Sequence, residues 1–335
     1  MDLHPAPRAD ARQGNRALLV CALVGLVVFV GSDALASRSD WLWEVVGRGA
    51  SGSENAAVML EARAHSLAQE PPLAALVMGS SVADADFTER ALAASLQVPP
   101  ARVAKLWMPA MSDVELAMLA PLVRRLRPER VIVPASPFVM LGGLRWDRTR
   151  AYAPEVAWRL FTPRELFTDR VEHLSRAFAS THVIVRHRRE LRRVLLGDHR
   201  DITALPPQGE RPRVGEQIHA LERARQGDFR CDTVHVRALE IFAQDVRATG
   251  AELIIASAPM AGRSLAGSAA SSERLDACLE SLSLAGARLR LGRDRPAFEH
   301  DDFRDLIHLD RAAAERFTRW VLEPAPNAGR PPHAL

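Results

Sequence analysis

The 335-residue sequence is poor in cysteine: it holds Cys21, Cys231 and Cys278, with no CxxC pair. It also lacks the cysteine–histidine spacing of a zinc site, so we predict no bound metal. Cys231 and Cys278 are far apart in the chain. Two interpretations stay open for them: a disulfide, if the domain is exported, or two separate buried thiols. Because unpaired cysteines are commonly buried, the sequence favours the thiols.

The sequence also lacks a concentrated basic region. Its 44 Lys and Arg are interspersed with 41 Asp and Glu, the net charge is +3, and aromatic residues make up 5 %. A basic stripe with aromatic residues between the charges is typical of nucleic-acid-binding proteins, so we predict no nucleic-acid partner. There is no internal repeat. The hydrophobic fraction of 47 % is ordinary for a globular protein and sufficient for a sizeable core.

An uncharged apolar run covers residues 17–32, and Arg8, Arg12 and Arg16 precede it. Positive charge on one flank favours an inward N-terminus and an exported remainder. The run approaches the length of a membrane span if it extends to residue 37. We therefore predict a single-pass transmembrane signal anchor. Ala34-Leu35-Ala36 has the form of a signal-peptidase site, so a cleaved and secreted form is the alternative.

Five segments are predicted along the chain. They are a cytoplasmic tail (1–16), the transmembrane segment (17–37), a helical connector (38–72), an α/β domain (73–323) with a helical insertion at about 138–230, and a disordered tail (324–335).

The α/β domain is predicted from short apolar runs that alternate with helical patterns. Residues 73–79 form a continuous apolar run, which is typical of a strand buried on both faces of a parallel sheet. Further strands are predicted at 101–107, 130–134, 252–257 and 287–291. Short connections and alternating helices predict a three-layer α/β/α fold with a mostly parallel, five-stranded sheet.

Ser81 is the first candidate for chemistry, because Gly79-Ser80-Ser81 lies where the first strand turns into a helix. A serine there is exposed at the carboxyl end of the strand. Unused backbone N–H groups and the helix dipole at that point favour developing negative charge. This is what an acyl-transfer nucleophile requires. A simple turn with a helix N-cap is the alternative interpretation.

Asp305 and His308 are the second candidate, just before the last predicted helix. A three-residue separation brings both side chains to one face of a turn, where the carboxylate can fix the imidazole tautomer. Ser81 follows the first strand, and this pair follows the last one. Because parallel strands end at a common edge, we expect the three residues to meet there.

These two segments resemble the SGNH/GDSL hydrolase superfamily. Val77-Met-Gly-Ser-Ser-Val-Ala-Asp84 is similar to its nucleophile block, in a GSS form, and Phe303-Arg-Asp-Leu-Ile-His-Leu309 is similar to its C-terminal block. The resemblance implies that Ser81 is the nucleophile, His308 the base and Asp305 its orienting acid, without a cofactor. Membrane-anchored relatives of the DltD-like and alginate-acetylation-like kind act on cell-envelope polymers.

The middle blocks of that superfamily are only partly present. Ala110 stands where a glycine is expected, and Ser136 lies near the place of the missing asparagine. The resemblance therefore implies Ala110 and Ser136 as oxyanion donors. Loss of one such donor costs about 3–4 kcal/mol of transition-state stabilisation.

Two hypotheses follow for the function. The first is a membrane-anchored, extracytoplasmic serine esterase or O-acyltransferase that acts on acyl esters of a cell-envelope glycan. The second, motivated by the missing asparagine, is an impaired member of the same fold that binds glycan or assists envelope polysaccharide assembly. A divalent-metal site built from His300, Asp301, Asp302, Asp305 and His308 is a further, weaker alternative.

Overall fold

The structure is a computed structural model that describes residues 9–49, 56–137, 151–168, 170–181, 187–195, 231, 233–261, 269–282 and 286–324. Residues 196–230 of the predicted insertion and nearly all of the predicted disordered tail lie outside the described residues.

In the described part of the chain, one sheet of five strands forms the centre of the fold. The strands are β1 (Ala75–Gly79), β2 (Val103–Trp107), β3 (Arg130–Ala135), β4 (Glu252–Ser257) and β5 (Arg288–Arg290). Their spatial order is β2-β1-β3-β4-β5, and every pairing is parallel. The prediction of an α/β fold with a five-stranded sheet is confirmed.

Helices connect the strands. They are α1 (Ala9–Ser37), α2 (Asp40–Gly49), α3 (Ala56–Leu67), α4 (Ser81–Ala85), α5 (Glu89–Leu96), α6 (Asp113–Met118), α7 (Ala120–Leu126), α8 (Pro154–Leu160), α9 (Pro163–Thr168), α10 (Arg170–Thr181), α11 (Arg188–Leu195), α12 (Thr233–Ala248), α13 (Ala269–Ser281) and α14 (Arg311–Leu322).

The sheet is buried on both faces. Along β1, Leu76 and Met78 belong to one apolar cluster, which includes side chains of α3, α6, α7, α12 and α13. Ala75 and Val77 point to the other cluster, together with Leu92 of α5 and Phe317 of α14. Burial on both sides explains why β1 is apolar at every position instead of alternating.

The strand order places a crevice between β1 and β3. The chain leaves β1 toward β2 on one side and then returns past β1 to form β3 on the other side. At such a switch point the connections diverge beyond the carboxyl ends of the strands, and this is where open α/β sheets bind their ligands. Ser81 is the second residue after the end of β1, so it lies at this position.

At the N-terminus, α1 presents exposed apolar side chains: Leu19 is 70 % exposed, and Leu23 and Val27 are each 64 % exposed. Among the helices of the described residues, none is long and apolar enough to cross a membrane.

The expectation of two separate buried thiols is wrong. Cys231 and Cys278 form a disulfide, and their Cα atoms are 5.8 Å apart. Cys231 precedes α12, and Cys278 lies within α13. Both helices contact β4, so the fold brings together two cysteines that are 47 residues apart in sequence.

Candidate active site

Ser81 is the first residue of α4 and is half-buried. The preceding Ser80 is the N-cap, and its hydroxyl accepts a hydrogen bond from the backbone N–H of Val82. Gly79 permits this tight connection, because a Cβ atom at that position would lie only 3.2 Å from the Cβ of Ala83. Only Ser80 separates the strand from the helix, and the Ser81 side chain is presented at the sheet edge.

His308 and Asp305 lie in a closed loop that precedes α14. A β-bridge between Phe303 and Leu309 closes the base of the loop, and the N–H of Arg304 donates to the carbonyl of His308 at 3.0 Å. Leu306, between the two candidate residues, is 4 % exposed and belongs to the apolar cluster beneath the sheet. The loop is thus held by its own hydrogen bonds and by a buried apolar side chain.

The three candidate residues form a continuous hydrogen-bonded chain. The hydroxyl of Ser81 donates to Nε2 of His308, with 2.8 Å between the two atoms. Nδ1 of His308 donates to Oδ2 of Asp305 at 2.7 Å. Ser81 and His308 are 227 positions apart in sequence, yet their side chains are close enough for proton transfer. The sequence prediction that Ser81, Asp305 and His308 meet at one edge of the sheet agrees with this geometry.

The carboxylate of Asp305 is held in its charged form. Burial alone would raise its pKa, but hydrogen bonds from His308 and from the backbone N–H of Ile307 outweigh burial, and the net pKa lies below the ordinary aspartate value. Its Oδ1 accepts the N–H groups of Ile307 and His308, each at 2.9 Å. Asp305 is thus fixed in orientation and favours the imidazole tautomer that leaves Nε2 free to accept the proton of Ser81.

Ala110, one of the two predicted oxyanion donors, has an unusual backbone conformation. Its φ of 51° lies in the left-handed region, where side chains with a Cβ are strained. The other described non-glycine residues with positive φ, Gln97 and Arg127, are C-caps of helices, where that conformation is common. Ala110 instead lies in the turn after β2, so the strain falls beside the candidate site.

Ser136, the other predicted donor, follows β3 and is 3 % exposed. It lines a small depression together with Gly79, Ser80 and Met111. Its hydroxyl faces Sδ of Met260 at 4.0 Å, a weak acceptor. A third potential oxyanion donor is the backbone N–H of Ser81 itself. It begins a helix, and no hydrogen bond within the described residues uses it.

The alternative metal site is not assembled. His300, Asp301 and Asp302 form a short 3-10 helix, and Asp302 pairs with Arg316 at 2.6 Å. Across the residues that the structure describes, no group of three or more His, Cys, Asp or Glu side chains is arranged to hold a metal ion.

Two further residues at this site escaped the sequence analysis. Lys105 of β2 donates from Nζ to the carbonyl and carboxylate of Asp84, at 2.7 and 2.8 Å, and so holds the end of α4. Asp86, which follows α4, accepts the N–H of Leu309 at 3.0 Å. Both contacts join segments that are distant in sequence, and neither residue belongs to a recognisable motif.

No protein-family model matches the chain, and no curated protein matches it significantly.

Proposed function

We propose that this chain is a serine-dependent acyl-ester hydrolase or O-acyltransferase of the SGNH/GDSL type. The observation that carries the proposal is the hydrogen-bonded chain from Ser81 through His308 to Asp305. It lies at the switch point of a parallel sheet, where ligand sites are expected. The resemblance of the two sequence blocks to that superfamily supports the same assignment.

The chemistry follows from the roles of the three side chains. Oγ of Ser81 attacks the carbonyl carbon of an acyl ester while Nε2 of His308 takes the hydroxyl proton. The C–O bond to the leaving alcohol then breaks, the imidazolium returns its proton to that alcohol, and an acyl-enzyme remains. His308 next deprotonates water or a sugar hydroxyl, which takes the acyl group and restores Ser81. Backbone N–H groups of Ser81 and Ala110 are the proposed donors to the oxyanion.

The proposed setting is the cell envelope, with the α/β domain outside the cytoplasm. The Cys231–Cys278 disulfide supports this location, because disulfides persist mainly in oxidising compartments. The Arg-flanked apolar run supports attachment to a membrane through α1, with a cleaved signal peptide as the alternative. The proposed substrate is an acyl ester of an envelope polysaccharide.

The experiment is hydrolysis of p-nitrophenyl acetate by the purified wild type, Ser81→Ala and Ser80→Ala. Ser80 is the matched control, because it is an adjacent serine whose hydroxyl caps α4. We expect Ser81→Ala to reduce kcat/KM at least about 10⁴-fold. Ser80→Ala loses about 1 kcal/mol of stability and keeps most of the activity. Equal rates for the wild type and Ser81→Ala contradict the proposal.

A second function is favoured by the environment of Ser136. Its hydroxyl is turned toward Met260, and no asparagine is present after β3 to serve as an oxyanion donor. A non-catalytic member of the fold, which binds glycan during polysaccharide assembly, fits that observation. Binding of an acylated polysaccharide without release of its acyl groups, together with an inert wild type in the ester assay, would select this function.

A further inference from the structure

Asp86 is a buried carboxyl group that the catalytic steps above do not use. The residue is completely shielded from solvent, at 0 % exposure, and is the C-cap of α4. Burial of a carboxyl group is costly unless the group makes a specific contact. We therefore expect the carboxyl group of Asp86 to make a structural contact, and its hydrogen bonds show which parts of the molecule it joins.

The contacts of Asp86 link the helix of the nucleophile to the loop of the base. Oδ1 accepts the backbone N–H of Leu309, the residue that follows His308, at 3.0 Å. The main-chain carbonyl of Asp86 accepts a longer hydrogen bond from the hydroxyl of Thr318 on α14, at 3.4 Å. Among the described residues, Oδ2 has no hydrogen-bond partner. One side chain thus spans the gap between the two halves of the proposed triad.

The link acts on a short helix that is held at a second point. Lys105 anchors the end of α4 to β2 through Asp84, and it also donates to the carbonyl of Phe87. Lys105 therefore sets the position of α4 relative to the sheet, and Asp86 sets the position of the loop relative to α4.

The hydrogen bond to Leu309 does not require a charged carboxylate. Burial raises the pKa of Asp86 well above the ordinary aspartate value, while the N–H of Leu309 and the charges of Arg304 and Arg295 oppose that shift. A neutral carboxyl group still accepts through its carbonyl oxygen. An asparagine, which has nearly the same shape and the same acceptor, is therefore a conservative replacement.

We propose that Asp86 is a positioning residue for the Ser81–His308 pair: its hydrogen bond to Leu309 holds the imidazole within reach of the serine hydroxyl. This inference rests on the proposed function and adds to it a residue that does not touch the substrate.

The experiment compares Asp86→Ala and Asp86→Asn with Asp245→Ala. Asp245 of α12 is the matched control because it is another buried carboxyl group, 7 % exposed, and it accepts a hydrogen bond from Arg159 of α8. Each variant is assayed for p-nitrophenyl acetate hydrolysis at a temperature well below its own Tm. The Nδ1 proton of His308 is followed by NMR, as a readout that does not depend on turnover.

We expect Asp86→Ala to lower kcat about 10- to 100-fold with little change in KM, as a small misplacement of a catalytic group does. Its His308 Nδ1 proton signal should shift or broaden. Asp86→Asn should keep the wild-type rate and the wild-type His308 signal, and Asp245→Ala should alter neither of them. If Asp86→Ala does not fold, Asp86→Ser, whose side chain is too short to reach Leu309, takes its place.

The proposal is overturned if Asp86→Ala matches Asp245→Ala in both rate and His308 signal, or if Asp86→Asn is as impaired as Asp86→Ala. A wild type without esterase activity contradicts the proposed function. The NMR comparison still decides in that case whether Asp86 positions His308, so the two failures are distinguishable.

Discussion

Two histidine–aspartate pairs in this molecule use the same atoms and differ in their surroundings. In the pair of His308 and Asp305, Nδ1 lies 2.7 Å from Oδ2. In the pair of His235 and Asp113, Nδ1 lies 3.1 Å from Oδ2. The first pair lies in a loop at the carboxyl edge of the sheet and faces Ser81. The second joins α12 to the start of α6 and is buried, with the histidine 2 % exposed.

The comparison shows that a histidine–aspartate hydrogen bond does not by itself indicate a catalytic site. Helices α12 and α6 pack closely, and a polar pair buried between them is expected to be hydrogen-bonded whether or not it has a chemical role. In addition, Nε2 of His308 faces the hydroxyl of Ser81, which lies at the carboxyl end of β1. What distinguishes the candidate site is therefore the placement of the pair at the switch point of the sheet. Three predictions test this distinction, and a fourth tests the backbone strain beside the candidate site.

The largest effect is expected for His308→Gln. Glutamine retains hydrogen-bonding capacity but cannot take and return a proton, so kcat/KM for p-nitrophenyl acetate should fall by about 10⁴-fold or more. Parallel measurement of Tm shows whether the variant is folded. A folded His308→Gln protein with wild-type rates would show that His308 is not the catalytic base.

Asp305→Asn is expected to lower kcat about 10²- to 10⁴-fold. The amide oxygen can still accept the N–H groups of Ile307 and His308, but the amide NH₂ then favours the imidazole tautomer that no longer accepts from Ser81. The measurement is steady-state kinetics at neutral pH, with far-UV circular dichroism to confirm folding. A loss smaller than threefold would show that Asp305 does not orient the base.

His235→Gln should separate stability from activity. The substitution disturbs the buried hydrogen bond to Asp113 and should cost about 1–3 kcal/mol of unfolding free energy, as measured in urea. The rate of ester hydrolysis, measured well below the Tm, should stay within about threefold of the wild type. A loss of activity comparable to that of His308→Gln would show that the buried pair of His235 and Asp113 is also needed for catalysis.

Ala110→Gly is expected to have the smallest effect. Glycine removes the strain of a left-handed alanine but increases the conformational entropy of the unfolded chain, so the net gain in stability is about 0.5 kcal/mol. Thermal unfolding of the variant and of Ala94→Gly, a substitution within α5 that should destabilise, provides the check. A destabilised Ala110→Gly protein would show that the left-handed turn after β2 is not strained.

Much of the sheet was predictable from the sequence because strands buried on both faces have continuous apolar runs. The amphipathic pattern of residues 113–126 does not show that this stretch forms two helices, α6 and α7. The division occurs at Leu119, just before Pro121, which has no N–H to continue the hydrogen-bond ladder. Helix α5 begins at Glu89 because the preceding Thr88 supplies an N-cap.

The triad residues were predictable because each lies in a short local pattern next to a strand or helix end. Asp86 and the disulfide were not, for a common physical reason. The partner of Asp86 is 223 residues away, and the two cysteines are 47 residues apart. In the sequence, Asp86 looks like an ordinary surface aspartate, and each of the two cysteines looks like an unpaired buried thiol. Only the packed fold brings these groups together.

The most direct test of the catalytic assignment is the site of reaction with a fluorophosphonate, which forms a covalent adduct with an activated serine. Wild-type protein and His308→Gln are treated with the reagent, digested and analysed by mass spectrometry. The account predicts one adduct, on Ser81 of the wild type, and strongly reduced labelling in His308→Gln. An unlabelled wild type, or an adduct on Ser80 or Ser136 instead of Ser81, would contradict it.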